Sequence, residues 1–220
     1  MGLGIFLNEL WLARLPLLTG ILITIAISLL AVVVGTILGV GVGLALTYGR
    51  KPLRWIVRAY TDVIRGTPVL VLVLASFYVP GAVGVELTAF EAGVLALVVF
   101  CSSHVGEIVR GALQSIPRGQ TEAAKAIGLR FGQRFLYVLA PQAIRLALPA
   151  WVNTAAEMVK ASTLLSIIGI GELLMTTQEI ISESFLSLQF YFLAGVIYFV
   201  INFSIERFGR FVERRTAIPS

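Results

Sequence analysis

From Leu15 to Gly49 this chain carries no Asp, Glu, Lys or Arg. At about 1.5 Å per residue, a helix over that run outreaches the ~30 Å hydrocarbon core of a bilayer, so it must tilt or protrude. Three shorter charge-free runs follow, at Gly66–Val85, Ala92–Gly106 and Ser184–Ile205. Between the last two, Leu146–Gly171 is interrupted only by Glu157 and Lys160. Backbone polar groups in lipid are satisfied only in helices or closed barrels, and none of these runs shows the period-two alternation of a barrel strand. The expectation is an all-α integral membrane protein with five spans near 16–48, 66–85, 88–112, 143–168 and 187–208. These form a single transmembrane domain over residues 1–220.

Only 13% of the residues are charged, against about 25% in soluble domains, which excludes the ordinary globular classes. The single Cys101 lies in an apolar run, leaving neither a disulfide framework nor a cysteine-based metal site. A net charge of +5 suits nucleic acid or anionic lipid, and the placement of the charges decides for lipid. Apart from Arg14 and Lys160, all 17 Lys and Arg fall in the first and third loops or the tail. The alternate loops hold Glu86, Glu91, Glu172, Glu179 and Glu183 and no basic residue. By the positive-inside rule the N-terminus is outside and the C-terminus cytoplasmic. The first residues lack a basic leader and run into an apolar segment too long for a signal core, so no cleaved signal peptide is expected. The amphipathic piece Phe6–Leu15 is expected to lie at the interface.

The basic loop between the third and fourth spans, 114–141, contains a polar island rich in small residues. Ala123, Ala124 and Ala126 favour helix and present little bulk, Gly128 suits the end of the turn, and Glu122, Lys125, Arg130 and Arg134 surround them. Such a helix can dock in a cleft of another protein. A phosphate-binding loop requires G-x-x-x-x-G-K-[ST], but Lys51, Lys125 and Lys160 are followed by Pro, Ala and Ala. No such loop is present in the sequence.

Within the spans, Asn153, Glu157 and Lys160 recur at i, i+4 and i+7, on one helical face, with Ser162 and Thr163 just beyond. An intramembrane charge costs about 2.5–3.5 kcal/mol on insertion scales, so this face either pairs Glu157 with Lys160 or lines a wet translocation path. Glu107 and Arg110, at i and i+3, are expected to form a structural ion pair near an inner gate, and Arg65 to anchor the chain at the membrane surface. Gly35, Gly39 and Gly43 fit either a subunit interface or helix packing within one bundle. Ser102, Ser103 and His104 could suggest nucleophilic catalysis, but neighbours on a helix point apart and no G-x-S-x-G elbow occurs, so no catalytic or metal residues are assigned.

Glu122-Ala123-Ala124, then Gly128, then Val138-Leu139-Ala140-Pro141 resembles the EAA motif of ABC importer permeases. Val138 and Ala140 depart from the usual Ile-x-Leu-Pro ending. Asp62-Val63-Ile64-Arg65-Gly66-Thr67-Pro68, Glu107-Ile108-Val109-Arg110-Gly111, Ile116-Pro117-Arg118-Gly119-Gln120 and Lys160-Ala161-Ser162-Thr163-Leu164 resemble successive blocks of the polar amino acid uptake branch. His104 and Leu72 stand where that branch often has Tyr and Gln. The resemblance implies the type I importer permease fold in a bacterial cytoplasmic (inner) membrane. It implies a coupling helix with Gln120, Glu122, Ala123, Ala124, Ala126, Gly128 and Arg130 as ATPase contacts. It further implies cytoplasmic ATPase subunits holding ATP and Mg, a second permease subunit as homodimer or heterodimer partner, and an extracytoplasmic solute-binding protein. This chain would bind no cofactor and no nucleic acid. The competing expectation is an ATP-independent secondary transporter or channel subunit.

Overall fold

A computed structural model describes residues 2–216, and every regular element among them is helical. In chain order these are α1 (Gly2–Tyr48), α2 (Lys51–Gly66), α3 (Val69–Ala82), α4 (Ala89–Ser115), α5 (Arg118–Ala126) and α6 (Phe131–Arg134). A π-helical segment (Phe135–Leu139) leads into α7 (Ala140–Ala161), which tightens to 3₁₀ turns (Ser162–Ile168) before α8 (Leu173–Ser184) and α9 (Ser187–Thr216).

Four stretches among the described residues are long and apolar enough to cross a membrane: Gly4–Tyr48, Ala89–Ser115, Phe131–Ile168 and Ser187–Arg215. A fifth exists only if α2 and α3 together form one span, bent by 110°. The region expected as a span over 66–85 is therefore built differently. α3 has 14 residues, about 21 Å of helix, less than a bilayer core requires. The bend has a local cause. Pro68 disfavours helical backbone at the residue before it, and Thr67 is extended at φ −101°, ψ 132°. The N-terminal piece Phe6–Leu15 also differs from expectation. It is continuous with α1 through Pro16 rather than a separate interfacial helix, and the Phe6 ring packs edge-on against Phe190 of α9 at 5.4 Å.

The core is organised on α1 and α4. A Cβ at Gly35, Gly39 or Gly43 would lie 2.6 Å from Cβ of Cys101, Val105 or Val109, respectively. The glycine stripe is thus spent on close packing inside one chain, and of the two expectations the bundle contact is the one observed. Above the seam, Ile27 and Ala31 of α1 and Leu97 of α4 pack with Val73 of α3 and Leu165 of the 3₁₀ turns. α7 approaches α9 equally closely at Gly209, where an added Cβ would meet Val152 at 2.4 Å.

Two acidic residues read from the sequence as loop residues serve as helix caps. Glu91 closes a capping box on α4, accepting from the Thr88 backbone N–H at 2.9 Å. Glu172 is fully buried, contrary to the reading of it as a loop acid. Its carboxylate accepts from the Met175 backbone N–H at 2.9 Å and from the Tyr198 hydroxyl at 2.6 Å. Those bonds offset the cost of burying it.

Candidate functional site

α5 is a short polar helix outside the apolar spans. Pro117 stands just before its first turn, where a missing N–H costs nothing. It ends in a left-handed turn at Gly128, φ +81°, with Gly128 N–H donating to the Lys125 carbonyl at 2.9 Å and Leu129 N–H to the Ala124 carbonyl at 3.1 Å. That double closure satisfies two end carbonyls, and glycine is the residue that adopts it without strain. Gln120, Glu122, Ala123, Lys125 and Ala126 are exposed, so a continuous face of small and charged residues is open. Arg130 is exposed too, its backbone N–H donating to Gln133 Oε1 at 2.9 Å.

Ala124 does not belong to that face. It is 4% exposed on the inner side of α5, which packs on the π-helical segment. Two helical steps carry it about 200° from Glu122, so the outward contact expected of Ala124 is corrected to an inward one. Ile127, missed by the sequence reading, extends the open face as an apolar tip 77% exposed.

The two charge groups in the spans have opposite surroundings. Glu107 and Arg110 form the expected pair, at 2.6 Å, but two further arginines join it. Arg58 approaches the carboxylate at 3.2 Å and Arg65 at 3.9 Å, both from α2. Arg65 is thus tied to α4 as well as placed at the bend. The cluster pins α2 across α4 beside the Thr67–Pro68 break.

Asn153, Glu157 and Lys160 form an exposed stripe on α7, while Thr154, Ala155, Ala156, Met158 and Val159 bury the other side. No Glu157–Lys160 ion pair forms, and neither meets an opposite charge among the described residues. Asn153 opens into a groove of ≈ 280 Å³ shared with Glu206, Gly209 and Arg210 of α9. Of these, Arg210 entered the sequence reading only as a basic residue of the tail, and Glu206 and Gly209 not at all. Ser162 departs from the expected path. It is fully buried and its hydroxyl donates to the Val159 carbonyl at 2.8 Å. Thr163 stays half-buried at the end of the stripe, donating to the Lys160 carbonyl at 2.7 Å. Ser103 and His104 both bond the Phe100 carbonyl, at 2.8 and 3.0 Å, and, contrary to the expectation that these neighbours point apart, Ser103 Oγ lies 3.3 Å from His104 Nδ1.

The chain thus exposes a short polar helix outside its spans and an unpaired polar stripe on one of them, the layout of a membrane protein that works with other chains. Residues 35–218 match the binding-protein-dependent transport system inner membrane component family, and the chain belongs to it. The chain is 34% identical to the arginine transport system permease protein ArtQ of Bacillus subtilis, covering 90% of this chain and 91% of that one. It is 32% identical to the glutamine transport system permease protein GlnP of Escherichia coli K12, covering 96% and 97%. A crystal structure of an amino acid ABC transporter with histidines superposes with TM-score 0.86 at 33% identity, over 92% of this chain and 94% of that one. The MetNI methionine ABC transporter, at 22% identity and TM-score 0.78, shares the fold. The chain is accordingly a multi-pass inner-membrane permease subunit of a binding-protein-dependent importer, not a catalytic enzyme. This favours the ATP-driven importer over an ATP-independent transporter or channel.

Proposed function

We propose that this subunit forms half of an ATP-driven pathway importing polar amino acids or related small zwitterions. The observation that carries the substrate side is the stripe of Asn153, Glu157 and Lys160, exposed and unpaired on a membrane-crossing helix. Charges left open to lipid are costly, so a second permease subunit, identical or similar, covers this face and encloses a wet seam. There Glu157 meets the ammonium group of the passing solute, Lys160 its carboxylate, and Asn153 and Thr163 supply neutral hydrogen bonds.

The N-terminus lies outside and the C-terminus in the cytoplasm, which places α5 on the cytoplasmic side. Gln120, Glu122, Ala123, Ala126, Gly128 and Arg130 form the surface that seats in an ABC ATPase subunit, which holds ATP and Mg. Ala124 supports that surface from beneath. An extracytoplasmic solute-binding protein delivers the amino acid to the opposite face. Lacking a phosphate loop, this chain contributes alternating access and binds no nucleotide.

Reconstitution tests the whole reading. Proteoliposomes containing the permease, its ATPase and its binding protein take up substrate only when ATP is supplied. Uptake driven by an ion gradient alone overturns it. Charge reversal at Glu122 or a bulky residue at Ala126 releases the ATPase while the permease stays folded. Retention of the ATPase by both variants removes the coupling assignment.

A further inference from the structure

One face of α9 has a layout that, apart from Arg210 at the groove shared with Asn153, neither the pathway nor the coupling surface uses. Leu188, Phe192, Val196, Phe199 and Phe203 recur at intervals of three or four residues, so they form one helical stripe. All five are exposed, Phe192 at 73% and Phe199 at 66%. The same register continues as Arg207, Arg210 and Arg214, also exposed. Phe203, Arg207, Phe208, Arg210, Phe211 and Arg214 line a groove of ≈ 490 Å³ at this end of the helix. Arg210 has the Glu206 carboxylate at 3.9 Å, and Arg207 and Arg214 have no ion pair among the described residues.

We infer that this groove binds an anionic phospholipid, its acyl chain along the aromatic stripe and its phosphate among the three arginines. The order of residues matches the order of groups in a lipid. An apolar run long enough for a tail passes, within one turn between Phe203 and Arg207, into cationic groups that hydrogen-bond phosphate in bidentate fashion. A soluble anion would make no use of the aromatic stripe. A zwitterionic lipid would bring its own cation beside three guanidinium groups and lose most of the attraction. Placing the phosphate level at Arg207 rests on α9 crossing the membrane and is independent of what the subunit transports.

Native mass spectrometry of the assembled permease–ATPase complex tests this, after equilibration with equal phosphatidylglycerol and phosphatidylcholine of the same acyl chains. The wild type should retain phosphatidylglycerol about tenfold over phosphatidylcholine, a difference of about 1.4 kcal/mol. The triple variant R207Q/R210Q/R214Q should lose that preference, and the triple lysine variant should keep most of it. Phe203→Ser should weaken retention of both lipids. Equal retention of the two lipids by the wild type overturns the proposal even if no variant folds. So does phosphatidylglycerol retention unchanged in the glutamine variant. Loss of the ATPase from that variant with lipid retention unchanged makes the arginines a protein contact and likewise overturns it.

Discussion

Glu107 and Glu157 are both carboxylates on membrane-crossing helices, on α4 and α7, and their surroundings could hardly differ more. Glu107 is met by three guanidinium groups from two helices, at 2.6, 3.2 and 3.9 Å. Glu157 is exposed and meets no cation of its own chain among the described residues. A partly buried charge matched inside the subunit is part of how that subunit holds its shape. A charge left unmatched in a folded membrane subunit is costly unless something covers it in the assembly, and under the proposed function that is where substrate and partner act. Asn153 and Lys160 share the second condition, so the contrast separates whole faces and not only two residues.

The contrast can be broken by substitution. The largest effect on folding is expected at the matched site. Glu107→Gln removes charge-assisted hydrogen bonds and should cost roughly 1.5–3 kcal/mol. Unfolding in lipid or detergent measures it, and a variant as stable as wild type means the clasp holds nothing. Glu157→Gln should do the opposite. Stability should stay within about 0.5 kcal/mol, while ATP-dependent uptake falls about tenfold, some 1.4 kcal/mol of lost stabilisation of the passing solute. Uptake at the wild-type level in a correctly assembled complex removes Glu157 from the path. The smallest effect sharpens the contrast with a third carboxylate. Tyr198→Phe takes one of two hydrogen bonds from buried Glu172 and should cost about 1 kcal/mol with uptake unaffected in proportion to folded protein. A transport defect exceeding the loss of folded protein would move Glu172 into the functional group.

Legibility in the sequence followed the range over which each feature is determined. Charge-free runs and the sidedness of Lys and Arg are summed over many residues, and the helices at Ala89–Ser115 and Ser187–Arg215 lie where those runs lie. The left-handed turn at Gly128 was equally accessible, because one residue type has a conformational advantage there. What failed depended on neighbours. Nothing in the local sequence says that Ala124 faces inward, since alanine suits either side of a helix. Ser162 looked like a path residue only until the 3₁₀ tightening turned it into the core. Glu172 was indistinguishable from Glu86 in the sequence, and what sets it apart is Tyr198, a residue 26 positions away on another helix. Pro68 stands just before the first residue of α3, and its effect on Thr67 is what divides α2 from α3.

The glycine seam has a mechanical consequence. Val105 and Val109 sit in successive gaps in α1 left by Gly39 and Gly43, with helix backbone between the gaps. To slide, α4 would have to lift each valine over that ridge, and to rotate it would have to drive the side chains into the backbone of α1. Neither motion is available without separating the helices. α1 and α4 therefore form one rigid wall, and any motion between parts of the subunit has to be taken up at other contacts.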